Sequence, residues 1–351
     1  MAGGQSAPLV VSFGALGDSI LLTAILDSLA AAWCRPCDLL LKKGPGVELL
    51  AAQPTVGGLR ALTSRRRPSW LSRERREVVR WLRGRRSGPV YFVDEIAERP
   101  VAELLAQGRI GEQWVVSYRT VPRGDLEHKI DHFHRLARAG APAFPASLPG
   151  GEPPPCLPSL TVPPEQVAEC GAWLRARGWE GEPLVLFQTR SRNRQRGRWG
   201  DDRWASLLRE VLARDSGRRG VLLGSAAERP EVAGLGERLP GVPVWNLAGE
   251  LPLPRLLALL ALAHSCVSLD SGPAHAAAAV GCPLVVVLGK ADPRRNAPRS
   301  SGSPVRLVSA WPETDWPSSR REWEATHRME QVRVEDVVAA WQSVSALRGQ
   351  G

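Results

Sequence analysis

Lysine is nearly missing from this chain. Of its 46 basic residues only Lys42, Lys43, Lys129 and Lys290 are lysines, so arginine carries the formal charge of +10. There is no run of eighteen apolar residues, which argues against a membrane-spanning helix. No basic segment followed by an apolar core opens the chain, so a secretory leader is not expected and the cytoplasm is the expected compartment. Six cysteines in 351 residues do not make a disulfide framework. The one tight pair, Cys34 and Cys37 in CRPC, has no second pair to complete a zinc site and reads as two incidental thiols. Two tyrosines and five phenylalanines leave few stacking platforms besides tryptophan, which weakens a nucleic-acid-binding reading. No cluster of Asp, Glu or His suggests a metal, and no cofactor is called for.

What is present suffices for two domains. The chain is longer than one ordinary domain and is 43% hydrophobic. In the first half LVVSF, DLLLK, PVYFV and WVVSY read as strands, and residues 19–33, 70–82 and 126–139 as helices. In the second half PLVLF, GVLLG, VPVWNL, SCVSL and PLVVVLG read as strands. Helices are expected there over 203–213, 228–239, 254–263 and 273–280, with a last one near 334–347. This alternation predicts an α/β protein with two doubly wound, Rossmann-like parallel sheets covered by helices. The proline- and glycine-rich stretch 140–164 is the expected linker. The domains are then 1–160 and 161–330, with a helix in 331–351 crossing back to the first. Two such domains facing each other create a cleft for ligands.

The arginines cluster. Eleven lie between Arg60 and Arg86 against only Glu74 and Glu77, and every second residue from Arg190 to Arg198 is arginine. Such patches suit phosphate, carboxylate or anionic membrane surfaces. Trp70, Leu71, Val78, Trp81 and Leu82 alternate with the first cluster, as in an interfacial helix or an ordinary helix with one packed and one solvated face. The second cluster follows a predicted strand, on the ligand side of an α/β sheet, where Arg196 and Arg198 can neutralise a departing diphosphate.

The stretch SLDSGPAHAAAAVGCP has the form of a strand ending at Asp270, a turn at Ser271 and Gly272, and a helix with Pro273 in its first turn. Its helix start points free N–H groups toward the carboxyl end of a sheet, a geometry that binds phosphate. Ser271 adds a hydroxyl, and His275 in the first turn is better placed for an anion than for the core. At the N-terminus, SFGALGDSILL lacks the first glycine of a dinucleotide fingerprint, and Asp18 at the helix start would repel pyrophosphate. A nicotinamide dehydrogenase is therefore disfavoured. A carboxylate at a helix N-terminus is stabilised in its ionised form. From spacing, Asp18 reads as a helix cap or as a general base.

Together these stretches resemble family 9 glycosyltransferases, the ADP-heptose:lipopolysaccharide heptosyltransferases. The resemblance rests on FGALGDSILLTAIL, on NLAG at 246–249, on Asp270 to His275, on GCPLVVVLG and on DPRR at 292–295. It implies an inverting transferase of two domains facing across a cleft (GT-B type). The donor, an ADP-sugar, lies on the second domain and an anionic saccharide or lipid-linked acceptor on the first. Asp18 matches the base, and Ser271, Gly272 and His275 match the diphosphate turn. Glu228 matches the donor-ribose acid, with Leu247, Gly249 and Asp270 around the nucleoside. Gly17, Arg119 and Arg123 are candidates for the acceptor. The family's lysine before the tryptophan is replaced by Gly197 between Arg196 and Arg198, and Lys290 stands where proline is common. The resemblance also implies peripheral contact with the inner face of the inner membrane. A nucleotide-sugar epimerase of similar architecture and a basic nucleic-acid-binding or scaffolding protein are the alternatives.

Overall fold

A computed structural model describes residues 7–63, 72–85, 88–94, 98–143, 148–191, 198–214 and 217–348. The chain divides into two compact units between Pro158 and Ser159, inside the stretch where prolines and glycines deny the backbone a regular ladder.

The first unit runs β1 (Leu9–Ser12), α1 (Leu16–Trp33), β2 (Cys37–Lys42), α2 (Pro45–Ala51), β3 (Val56–Leu62), α3 (Arg73–Gly84), β4 (Val90–Phe92), α4 (Glu98–Gln107), β5 (Val115–Ser117) and α5 (Lys129–Ala139). The strands form one parallel sheet in the order β3-β2-β1-β4-β5. Leu9 lies opposite Asp38 on one side and Val90 on the other. Leu9, Val10 and Val11 are fully buried, as a strand covered on both faces requires. Sequence patterning does not predict α2, β3 or α4. In β3 the paired glycines hide the strand. Gly58 is there because a β-carbon would come 2.6 Å from the Asp38 carboxylate of the neighbouring strand.

Among the described helices only α1 is long and apolar enough to span a membrane, and it is packed against α2, α5 and β2. It ends where Cys34 adopts a left-handed conformation, φ 51°, and Cys37 opens β2 from a buried position. The pair thus holds a helix end and a strand start. Helix α3 has one packed and one solvated face. Val78, Val79 and Leu82 pack into the core with Val11, Leu40 and Phe92, and Arg76 and Arg80 remain exposed. Trp81 is half-buried beneath the guanidinium groups of Arg60 and Arg85. Trp70 and Leu71 lie outside the described residues.

The second unit runs α6 (Pro164–Arg175), β6 (Leu184–Gln188), α7 (Asp201–Ala213), β7 (Arg219–Leu223), α8 (Arg229–Glu237), β8 (Val244–Asn246) and α9 (Leu253–Leu262). It continues with β9 (Ser265–Leu269), α10 (Gly272–Ala279), β10 (Leu284–Val287), α11 (Pro293–Asn296), β11 (Val305–Val308), α12 (Arg320–Thr326) and α13 (Val334–Arg348). The six strands are parallel in the order β11-β10-β9-β6-β7-β8. The C-terminal helix packs against the sheet of this unit. Val337, Val338, Trp341 and Val344 of α13 complete the core beside α7 and β9–β11, and the Trp341 indole donates to Ser265 Oγ at 3.0 Å.

Each sheet reverses its winding once, between β1 and β4 in the first unit and between β6 and β9 in the second. In open α/β sheets, ligands bind outside the carboxyl ends of the strands at such reversals.

Candidate active site

At the first reversal, β1 ends on Ser12 and the chain turns through Phe13, Gly14 and Ala15 into α1. Asp94, just past β4, fastens this turn. Its carboxylate accepts from Ser12 Oγ at 3.0 Å and from the Phe13 N–H. Gly14 leaves room for the next feature, since a β-carbon there would sit 2.8 Å from both Cγ and Oδ2 of Asp18. Asp18 is the third residue of α1, and its Oδ2 accepts from the Ala15 N–H at 2.9 Å. Its Oδ1 accepts from Lys129 Nζ at 2.6 Å. Lys129 opens α5, and its ammonium lies 5.6 Å from the centre of the Phe133 ring. The Asp18 side chain keeps 36% of its surface exposed and that of Lys129 13%, so the acid faces solvent with the cation behind it.

The cap and base readings of Asp18 are therefore compatible. One oxygen closes the helix start, the other meets an ammonium, and an ionised carboxylate has about four lone-pair sites in all. Asp94 is the contrasting acid. Burial pushes its carboxyl above the usual aspartate range, against the Phe13 N–H, Lys129 and the Ser12 hydroxyl, while the charge of Asp18 pushes it further up.

The remaining first-unit candidates lie in α1 and on the segment between β5 and α5. Gly17 is half-buried in the first turn of α1, and Arg119 is exposed on the turn after β5, where its N–H donates to Ser117 Oγ at 3.2 Å. The Arg123 guanidinium folds onto its own loop and donates to the Glu127 carbonyl at 2.9 Å. That loop is anchored by His132, whose Nε2 donates to the Val121 carbonyl at 2.7 Å and whose pKa burial pushes down.

At the second reversal, Asp270 follows β9, Ser271 is an extended N-cap and α10 begins at Gly272 with Pro273 second. No side chain caps this helix from Ser271, and there is no acid in its first turn. Ser271 Oγ lies 3.3 Å from Ser268 Oγ, and His275 Nε2 lies 3.9 Å from the Asp270 carboxylate. His275 is buried among Ala274, Ala276, Ala277 and Ala278, whose small size seats α10 close to the sheet. Ser271, Gly272, His275 and Asp270 are thus brought together at one strand end.

The two described arginines of the second cluster are each met by acids. Arg190 is buried, with its guanidinium 2.8 Å from Asp201 and 3.0 Å from the Glu231 carbonyl. Arg198 is exposed and shares the same two acids, at 3.7 Å from Asp201 and 3.6 Å from Glu231. Arg196 lies outside the described residues. Three of the four nucleoside candidates, Glu228, Leu247 and Gly249, form a separate group at the ends of β7 and β8, whereas Asp270 lies at the end of β9. The Glu228 carboxylate accepts from the N–H and hydroxyl of Ser225, at 2.7 and 2.8 Å. Leu247 is buried and its N–H donates to Leu222. Gly249 has φ +78° and packs so closely on Ala226 that a β-carbon would lie 3.0 Å from its Cα. In the sheet β7 stands two strand spacings from β9 and β8 three, about 10 and about 14 Å, distances that a nucleoside diphosphate spans.

Lys129 and Asp94 went unread in the sequence. The available signals were a lysine in an almost lysine-free chain, at the start of a predicted helix, and an acid directly after PVYFV.

Two doubly wound units, one with a solvent-facing acid at its winding reversal and the other with a helix start free of acids at its own, make this a two-unit α/β protein. The family model for glycosyltransferase family 9 (heptosyltransferase) matches residues 122–321, more than half of the chain. The chain belongs to that family and is a glycosyltransferase. It is 27% identical to lipopolysaccharide heptosyltransferase 2 of Salmonella typhimurium, over 82% of this chain and 81% of that one. It is 28% identical to lipooligosaccharide heptosyltransferase 2 of Haemophilus influenzae, over 81% and 80% respectively. Its fold matches that of a family 9 glycosyl transferase from Veillonella parvula, with a TM-score of 0.76 at 18% identity and 98% of each chain covered. It also matches E. coli ADP-heptose lps heptosyltransferase II, with a TM-score of 0.71 at 19% identity, covering 98% of this chain and 100% of that one.

Proposed function

We propose that this protein transfers a heptose, or a closely related sugar, from an ADP-sugar to a lipopolysaccharide-core saccharide, with inversion at the anomeric carbon. The observation that carries the reading is the solvent-facing Asp18 carboxylate, paired with Lys129 at the start of α1. The acceptor hydroxyl attacks the anomeric carbon while its proton passes to Asp18. The bond from that carbon to the β-phosphate oxygen breaks, and ADP leaves with the electron pair. General-base help of this kind contributes about 10²–10⁴ in rate.

The second unit grips the leaving group. The N–H groups at the start of α10, with Ser271 and His275, receive the diphosphate, and Arg196 and Arg198 add positive charge. Glu228, Leu247, Gly249 and Asp270 hold the nucleoside. Gly17, Arg119 and Arg123 line the acceptor side. The names of the relatives, which specify heptose and lipopolysaccharide, support the substrate assignment. The exposed arginines of α3 suit the anionic cytoplasmic face of the inner membrane, where such an acceptor is anchored.

The test is ADP release from ADP-heptose with and without a heptose-deficient core saccharide. Release that depends on the acceptor and a mass gain of one heptose on it are expected. ADP release or donor conversion that ignores the acceptor would instead mark a hydrolase or epimerase.

A further inference from the structure

Asp18 does not stand alone at the first reversal. Lys129 reaches it from α5 at 2.6 Å. Asp94 holds the same turn from the far side through Phe13 and Ser12, and the charges of both Asp18 and Lys129 act on it. Helix α2 meets this end of α1 through Gly46, beside Ser19. The remaining acids near the starts of the flanking helices, Asp131 on α5 and Glu48 on α2, are solvent-exposed. One cation therefore serves two carboxylates of unequal exposure.

We propose that Lys129 and Asp94 are positioning residues that set the proton affinity of Asp18 in opposite directions, Lys129 lowering it and Asp94 raising it. This rests on the reading of Asp18 as the base. A base held by an unopposed ammonium stays ionised but accepts a proton poorly. A base beside an unopposed second acid is protonated too readily to be available. With both influences present, the ion pair to Lys129 keeps Asp18 charged and oriented in the resting enzyme. When Asp18 takes the acceptor's proton, Asp94 still balances the ammonium, so no lone cation is left in a half-buried site. Both effects follow from Coulomb's law at short range, where an opposite charge within about 4–6 Å moves a carboxylate by about 1–3 pH units.

The experiment is a ¹³C NMR titration of the Asp18 carboxyl in the full-length protein, its resonance assigned by loss in Asp18→Asn. It is paired with the pH profile of kcat/KM. In Lys129→Met the carboxyl should titrate about one to two pH units higher than in the wild type. The acid limb of kcat/KM, which requires ionised Asp18, should move up with it. In Asp94→Asn, where the amide can keep the bonds to Ser12 and Phe13, both should move down, by roughly half a unit. Lys129→Arg should restore wild-type titration. A merely structural role for either residue would lower activity without moving the two titrations apart. Unchanged titration of Asp18 in Lys129→Met, or shifts of the same sign in both variants, overturns the proposal. The titration needs no substrate, so the two failures are separable. Intact transfer by Asp18→Asn overturns the base assignment and this proposal with it, whereas flat titrations with an inactive Asp18→Asn overturn this proposal alone.

Discussion

At the turn from β1 into α1 the third helical residue is an acid, Asp18, bonded to the Ala15 N–H. At the turn from β9 into α10 the third helical residue is Ala274, and the first turn holds no acid. Both helices leave the carboxyl end of a parallel sheet at a winding reversal, and both point a partial positive charge at it. In the first unit that charge is already answered by a side chain of the protein itself, which is thereby kept ionised. In the second it is left for an anionic ligand. A single side chain at the third helical position thus distinguishes the proposed proton-accepting site from the proposed phosphate site. Nearby charges follow the same division. The first reversal gathers Asp18, Asp94 and Lys129, whereas Arg190 and Arg198, the described arginines of the second cluster, are met by Asp201 and Glu231.

The contrast can be broken from either side. The largest effect is expected from Asp18→Asn, which keeps the cap geometry and removes the proton acceptor. Transfer should fall by about 10²–10⁴ while affinity for ADP, measured by calorimetry, stays at the wild-type value. Gly14→Ala is the next largest. Its methyl group would meet the Asp18 carboxylate, and displacing a reacting group by about 1 Å can cost up to about 10²-fold. The expected signature is a lower kcat with unchanged ADP binding. On the other unit, Ser271→Ala and His275→Ala should each weaken ADP binding by roughly tenfold, the worth of one hydrogen bond to a charged group. Equal ADP affinity in all three proteins would count against the turn at 270–275 as the diphosphate site.

The smallest effect concerns pH. His327 of the second unit is fully buried and stacked on Trp323 with ring centres 4.3 Å apart. Burial, then the charge of Arg328, depresses its pKa to about 4. The unfolded chain binds this proton more readily than the folded one, so the contribution to stability is full above the ordinary histidine pKa. It is lost as pH falls from about 6.5 to about 4. The urea midpoint should decline over that window, and less steeply in His327→Gln.

Much of this arrangement is legible in the sequence. The strands of both cores are apolar runs because parallel strands are covered on both faces, and the motifs at Asp18 and Asp270–His275 lie at strand ends, where the fold places ligands. The elements that escaped are those whose pattern is overwritten by local demands. Strand β3 carries Gly57 and Gly58 because it must pass close to Asp38, and β11 is an edge strand with exposed Arg306 and Leu307. The ion-pair partners escaped for a different reason. Lys129 lies 111 residues from Asp18, and Asp94 lies 81 residues from Phe13. Only the strand order β1-β4-β5 brings them together, and periodicity carries no information about pairing at that range. Likewise, nothing in the alternation of arginines shows that Arg190 and Arg198 are met by Asp201 and Glu231.

The proposed single displacement at the anomeric carbon, with Asp18 taking the proton, fixes the stereochemistry of the product. The most direct measurement is the anomeric configuration of the new linkage, read by NMR on the saccharide formed from ADP-heptose. Configuration opposite to that of the donor is the predicted result. A product with the donor's configuration retained would require a second displacement and contradict the account.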